Sequence, residues 1–165
     1  MFSIVDGTST HIDEAAAIWA RATAARDGDD DVASLAEARP VISRVLESSP
    51  HALLAIAVNE DGTAVAFGAI APVPGANATA ELHYFGVDPD RWGRGAAGEL
   101  LTRIAAMLRE RGFDTAELAV YADNDRAVRL YERLGWRRQG DPVPHAHSGR
   151  PEQRYQLALH PAAGS

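Results

Sequence analysis

The most constraining feature of the sequence is a glycine-rich turn set between an extended segment and an amphipathic one. Residues 80–87 (AELHYFGV) alternate as a strand does, with Glu81, His83 and Phe85 on one side and Leu82, Tyr84 and Gly86 on the other. After Asp88-Pro89-Asp90 the chain runs Arg91-Trp-Gly-Arg-Gly-Ala-Ala-Gly98 without a break into 99–111. There Leu100, Leu101, Ile104, Met107 and Leu108 recur at helical spacing, and Gly112 supplies a stop. A helix starting at such a turn carries unpaired backbone N–H groups and about half a positive charge, and glycines let an anion approach them. The segment therefore predicts an anion site made of backbone, to which Arg91 and Arg94 add forked donors.

Composition narrows the chemistry such a site can perform. All 16 basic residues are Arg, so a Schiff-base lysine and the lysine of a Walker-type phosphate loop are excluded. Cysteine is absent as well, which removes disulfides, thiolate metal sites and thiol nucleophiles. The net charge of −7 is uneven: residues 1–90 hold 14 acidic side chains against 4 Arg, and residues 91–165 hold 9 against 12. An acidic chain is a poor partner for nucleic acid, since that affinity rests on neutralising phosphates, so an anionic ligand falls to a local device in the second half. No run approaches the roughly 20 apolar residues of a membrane span, and residues 1–6 lack a targeting pattern. The expectation is one cytoplasmic domain over residues 1–165, with no membrane or nucleic-acid partner.

The remaining segments suggest how that unit is surrounded. Thr10-His-Ile-Asp13 reads as a capping box opening a helix that Asp27-Gly28 stops. A second helix follows the acidic run Asp29–Asp31, with Pro40 expected to break or restart it and Ser48-Ser49-Pro50 to end it. Residues 52–58 and 64–71 flank the turn Asn59–Gly62 as a β-hairpin, 115–121 reads as a strand, and 124–134 as a helix capped by Gly135. Residues 136–139 and 153–159 read as closing strands around a loop holding Pro142, Pro144, His145, His147 and Gly149. The order ααβββαβαββ specifies an α/β (α+β) domain, helices flanking a mixed, mainly antiparallel sheet. His145 and His147, separated by one residue and without a nearby third ligand, make a poor metal site, and none is expected.

Gly93-Arg-Gly-Ala-Ala-Gly98 satisfies the dinucleotide pattern G-x-G-x-x-G literally, but a Rossmann domain would put it after the first strand of a parallel βαβ repeat. A different precedent fits more of the chain. Val87-Asp-Pro89, then Trp92-Gly-Arg-Gly95-Ala-Ala97-Gly98 and Leu100-Leu101, resemble the phosphate loop of the GNAT superfamily of N-acetyltransferases, with Trp92 replacing the usual Gln/Arg. Asn124-Asp-Arg-Ala127-Val-Arg-Leu130-Tyr131-Glu-Arg-Leu134-Gly135-Trp136 is similar to a second segment of that family, and the likeness covers residues 52–139.

The resemblance implies acetyl-CoA as co-substrate and an amine, small molecule or peptide, as acceptor, with sheet-edge homodimers common in the family. It implies that backbone groups of Phe85, Gly86 and Val87 pair with the pantetheine arm, Gly86 at a bulge. Trp92, Gly93, Arg94, Gly95, Ala96, Ala97 and Gly98 would hold the pyrophosphate, Asn124 would bond the arm, and Ala127 would leave room beside it. Tyr131 takes the general-acid position, where a phenol can protonate the departing thiolate. Glu81 and His83 are the candidate bases, Glu81 standing where many relatives place a carboxylate. With no Cys to carry an acyl group, direct attack in a ternary complex is expected. A non-catalytic acyl-CoA-binding module is the alternative that keeps the cradle without turnover.

Overall fold

The computed structural model describes residues 2–76 and 78–160. Seven strands lie in the order β1-β2-β3-β4-β5-β7-β6. They are β1 (Ser3–Asp6), β2 (Leu53–Val58), β3 (Ala64–Pro72), β4 (Thr79–Val87), β5 (Thr115–Tyr121), β6 (Arg137–Pro144) and β7 (Pro151–Ala158). The helices are α1 (Ile12–Asp27), α2 (Leu35–Glu47), α3 (Ala96–Glu110) and α4 (Asp125–Arg133). The mixed, mainly antiparallel architecture is the expected one, preceded by an additional strand, β1. Four residues with no apolar alternation carry little strand signal, and β1 is defined by its antiparallel ladder from Ser3↔Val58 to Asp6↔Ala55.

The described residues divide into two compact units, drawn from Met1–Pro72 with Leu82–Ile104 and from Val73–Glu81 with Ala105–Ser165. In the first, β2 and β3 pair antiparallel and bury nearly every side chain. Ala15, Ala16, Ile18, Ala38, Ile42 and Val45 of α1 and α2 pack on Leu54, Ile56, Phe67 and Ala69. Alanines there let the helices approach the sheet closely, and burying the larger side chains contributes roughly 1.5–3 kcal/mol each. In the second unit, β5 lies parallel to the start of β4 through Thr79↔Thr115 to Glu81↔Glu117, and pairs antiparallel with β7 along its whole length.

Three local expectations are corrected. Thr10 and Asp13 form no capping box; α1 starts after His11 with no side-chain cap, while Ser34 and Glu37 form a reciprocal box at α2, with bonds of 3.2 and 3.0 Å. Pro40 neither breaks nor restarts α2, which runs on to Glu47. Its ring removes only the bond to the carbonyl of residue 36, which stands on the exposed side where water can replace it. Pro142 and Pro144 belong to β6 rather than to the loop; β6 stands at the end of the strand order, where a missing N–H costs least, and its register shifts between Gln139 and Val143.

Candidate active site

The glycine-rich turn is assembled wholly within the first unit. At the end of β4, Asp88 donates its N–H to Val65 O at 2.8 Å, and its carboxylate Oδ1 accepts from Asp90 N at 3.0 Å. That bond opens a single 3-10 turn over Pro89–Arg91, with Pro89 at a position where its missing N–H is harmless. The Trp92 indole then donates to Val87 O at 2.9 Å. Trp92 thereby braces the turn against the strand end.

Gly93 and Gly95 follow with φ of 82° and 84°, a left-handed conformation that residues with a Cβ adopt only at a cost. A Cβ at either would project into open space, as it would at Gly98. Gly98 is a residue of the first turn of α3 and has no positive φ, so the backbone demands glycine at 93 and 95 but not at 98. The first bond of α3 is Glu99 N to Gly95 O at 3.2 Å. The N–H groups of Ala96, Ala97 and Gly98 therefore have no acceptor within the helix. Arg94 is exposed beside them, and Arg91 is half-buried.

Along β4 the pleat is irregular. A Cβ on Gly68 would meet Ile104 of α3 together with Leu82 and Phe85, whereas one on Gly86 would meet Phe67 at 2.9 Å and Ala22 of α1. Leu82 and Phe85 thus share a face although three residues apart, which strict alternation forbids. The parity slips at His83 and Tyr84, both exposed, so Phe85 parts from the side of Glu81 expected of it. Gly86 is glycine because Phe67 closes on its backbone.

Arg21, on α1, is the residue that sequence reasoning missed. Its guanidinium forks onto Asp88 Oδ2 at 3.0 Å and Asp90 Oδ2 at 2.9 Å, the two acids that introduce the turn. Asp88 is almost fully buried, and with both oxygens engaged it fixes where the turn leaves the strand.

The second unit holds the candidate acid and base. Asn124 is the N-cap of α4: its Oδ1 accepts from Ala127 N at 3.3 Å, which explains the Asn-x-x-Ala spacing structurally and leaves the amide donors unengaged among the described residues. Tyr131 is buried, its ring in edge contact with Trp136 at 5.9 Å and tilted against Tyr155 at 6.3 Å. The Tyr155 hydroxyl donates to Glu132 Oε2 at 2.8 Å. The Tyr131 hydroxyl has no hydrogen-bond partner among the described residues, yet none of their sealed side-chain polar atoms lacks one, so the hydroxyl is not fully sealed from solvent. Burial pushes its pKa well above the ordinary 10.0 and keeps the proton in place at neutral pH.

Glu81 is half-buried and lies 3.7 Å from the guanidinium of Arg154, which is shared with Glu117 at 3.2 Å. The register explains the cluster: Glu81 stands opposite Glu117, and Glu117 opposite Gln156, so adjacent strands line these side chains along one face. At the β6–β7 hairpin, the His145 Nδ1 accepts from the backbone N–H of His147 and of Ser148, both at 3.2 Å. Arg150 lies 3.8 Å over the Tyr121 ring and bonds Asp123 at 2.9 Å. Among the described residues no three His, Asp or Glu side chains gather as metal ligands, and no helix is long and apolar enough to cross a membrane.

The β4–β5 pairing, the glycine turn and Tyr131 all lie within the segment by which the chain is assigned to its class. The chain belongs to the acetyltransferase (GNAT) family, which it matches over residues 14–136. Mycothiol acetyltransferase of Clavibacter sepedonicus is 47% identical over 58 residues, 35% of this chain and 19% of its own length. That of Beutenbergia cavernae is 41% identical over 96 residues, 57% of this chain and 31% of its own. The chain thus spans less than a third of the length of these curated relatives. Among solved structures, the ribosomal-protein-S18-alanine N-acetyltransferase from Escherichia coli shares the fold with a TM-score of 0.76 at 24% identity, over 100% of this chain and 98% of that one. So does yncA from Salmonella typhimurium, solved with its cofactor acetyl-CoA, with a TM-score of 0.72 at 19% identity over 98% and 96%.

Proposed function

We propose that residues 1–165 form one N-acetyltransferase domain that moves an acetyl group from acetyl-CoA to a primary amine. The observation that carries this reading is Tyr131: a neutral phenol, its ring buried and its hydroxyl uncommitted among the described residues and not fully sealed from solvent. A structural tyrosine at such a place is ordinarily hydrogen-bonded, as Tyr155 is to Glu132.

The turn fits the donor's pyrophosphate, since the open space over Gly93 and Gly95 and the N–H groups of 96–98 suit an anion without lysine. Acetyl-CoA supplies the acetyl group as a thioester. On this reading the β4 backbone beyond Glu81 orients the pantetheine arm, and the amide donors of Asn124 add a bond to it. Glu81, directly or through water, takes the proton from the attacking amine nitrogen, with Arg154 holding the carboxylate in position. The N–C bond forms, the C–S bond breaks, and Tyr131 gives its proton to the sulfur, leaving an amide and the free thiol. The acceptor is a small-molecule or peptide amine.

Calorimetric titration with acetyl-CoA and with NAD, followed by thiol-release assays over a panel of amines, tests this reading. Micromolar acetyl-CoA binding with turnover on at least one amine supports it. Binding without turnover on any amine favours a non-catalytic acyl-CoA module, and NAD binding in place of acetyl-CoA refutes it.

A further inference from the structure

Arg21 lies 67 residues from Asp88, yet it binds both acids that introduce the glycine turn. Two features make this more than a surface ion pair. Asp88 is almost fully buried, with its second oxygen committed to Asp90 N and its own N–H to Val65 O on β3, so Arg21 joins a network that ties the turn to the sheet. The two carboxylates also stand immediately before a segment whose backbone N–H groups and arginines suit an anion. Left uncompensated, they would repel it; one guanidinium against two carboxylates removes half of that charge. The fork geometry suits Arg specifically, since each nitrogen serves a different acid.

We infer that Arg21 is a positioning residue for the donor site: it fixes the exit of β4 and offsets the charge of Asp88 and Asp90, and thereby sets affinity for the phosphates of acetyl-CoA. This rests on the reading of the turn as the acetyl-CoA site. Arg21 works through the two acids and has no part in the acyl transfer itself.

The test compares the wild type with Arg21→Gln, Arg21→Lys, Asp90→Asn and the double variant R21Q/D90N, by calorimetry with acetyl-CoA, steady-state kinetics and thermal melting. Arg21→Gln is expected to raise the acetyl-CoA Kd and KM roughly fivefold with kcat at saturation within about twofold of the wild type. Arg21→Lys keeps the charge but not the fork and falls between the two. The decisive variant is R21Q/D90N: removing one unpaired carboxylate recovers part of the lost affinity, which a purely structural role for Arg21 would not produce. Asp90 is largely exposed, so Asp90→Asn reports on the clamp even if Arg21→Gln melts early. An unchanged Kd in Arg21→Gln and Asp90→Asn overturns the inference while leaving the acetyl-CoA site intact, as does a loss in R21Q that D90N deepens. Failure of the wild type to bind acetyl-CoA overturns the underlying reading instead.

Discussion

The turn at Gly93–Gly98 and the surroundings of Tyr131 are built by opposite means. The turn is backbone: left-handed glycines, a helix start and an indole brace create donors that no particular side chain supplies. The Tyr131 region is side chain: the rings of Trp136 and Tyr155, in edge and tilted contact, bury a phenol whose hydroxyl has no partner among the described residues. A backbone site tolerates change in side-chain chemistry but not in conformation, whereas a buried functional group tolerates neighbours that keep its shape but not loss of its own atom.

Substitutions can break this contrast. Gly95→Val, which forces a β-branched residue to a φ of 84°, should weaken acetyl-CoA binding about a hundredfold by calorimetry while the chain stays folded. Gly98→Ala, with helical backbone and open space, should leave affinity within about twofold; an equal loss at both positions would mean that small size rather than conformation matters. Gly86→Ala should cost about 1–3 kcal/mol in urea denaturation, because its methyl would stand 2.9 Å from the Phe67 ring in a packed core.

The aromatic region predicts a pH dependence. Burial raises the folded-state pKa of Tyr131, and burial followed by the Glu132 bond raises that of Tyr155, above the ordinary 10.0. The folded chain therefore holds these protons more tightly than the unfolded one, and stability that is full below pH 10 is lost as pH climbs toward the folded values. Urea denaturation between pH 8 and pH 11 should show this decline, less steeply in Tyr131→Phe; identical slopes would indicate that the phenol is more solvated than its surroundings imply. The smallest effect belongs to the α2 cap, far from either chemistry in sequence. Ser34→Ala should cost about 1 kcal/mol and leave acetyl-CoA affinity unchanged.

Legibility in the sequence followed the same division. Val87-Asp-Pro89 and Gly93–Gly95 could be read because a backbone conformation restricts the residue types that adopt it, and the second segment because Asn124, Ala127 and Tyr131 keep a fixed spacing along one helix. Arg21 could not, since its partners come 67 residues later and nothing local distinguishes it from a solvated helix arginine. The same holds for the pairing of Glu81 with Arg154, which depends on strand register. Strand β1 and the course of α2 through Pro40 were hidden for a related reason: tertiary packing overrode weak local preference. Phe85 left its expected side because the strand slips at His83 and Tyr84, an irregularity that alternation alone cannot reveal.

The central claim, a backbone-built acetyl-CoA site served by a phenolic acid, is tested most directly by thiol release in Tyr131→Phe alongside its acetyl-CoA affinity. A fall in kcat of about a hundredfold or more, with Kd within about twofold of the wild type, is the predicted result. Turnover at the wild-type rate, with the same affinity, would contradict it and leave Tyr131 a core residue.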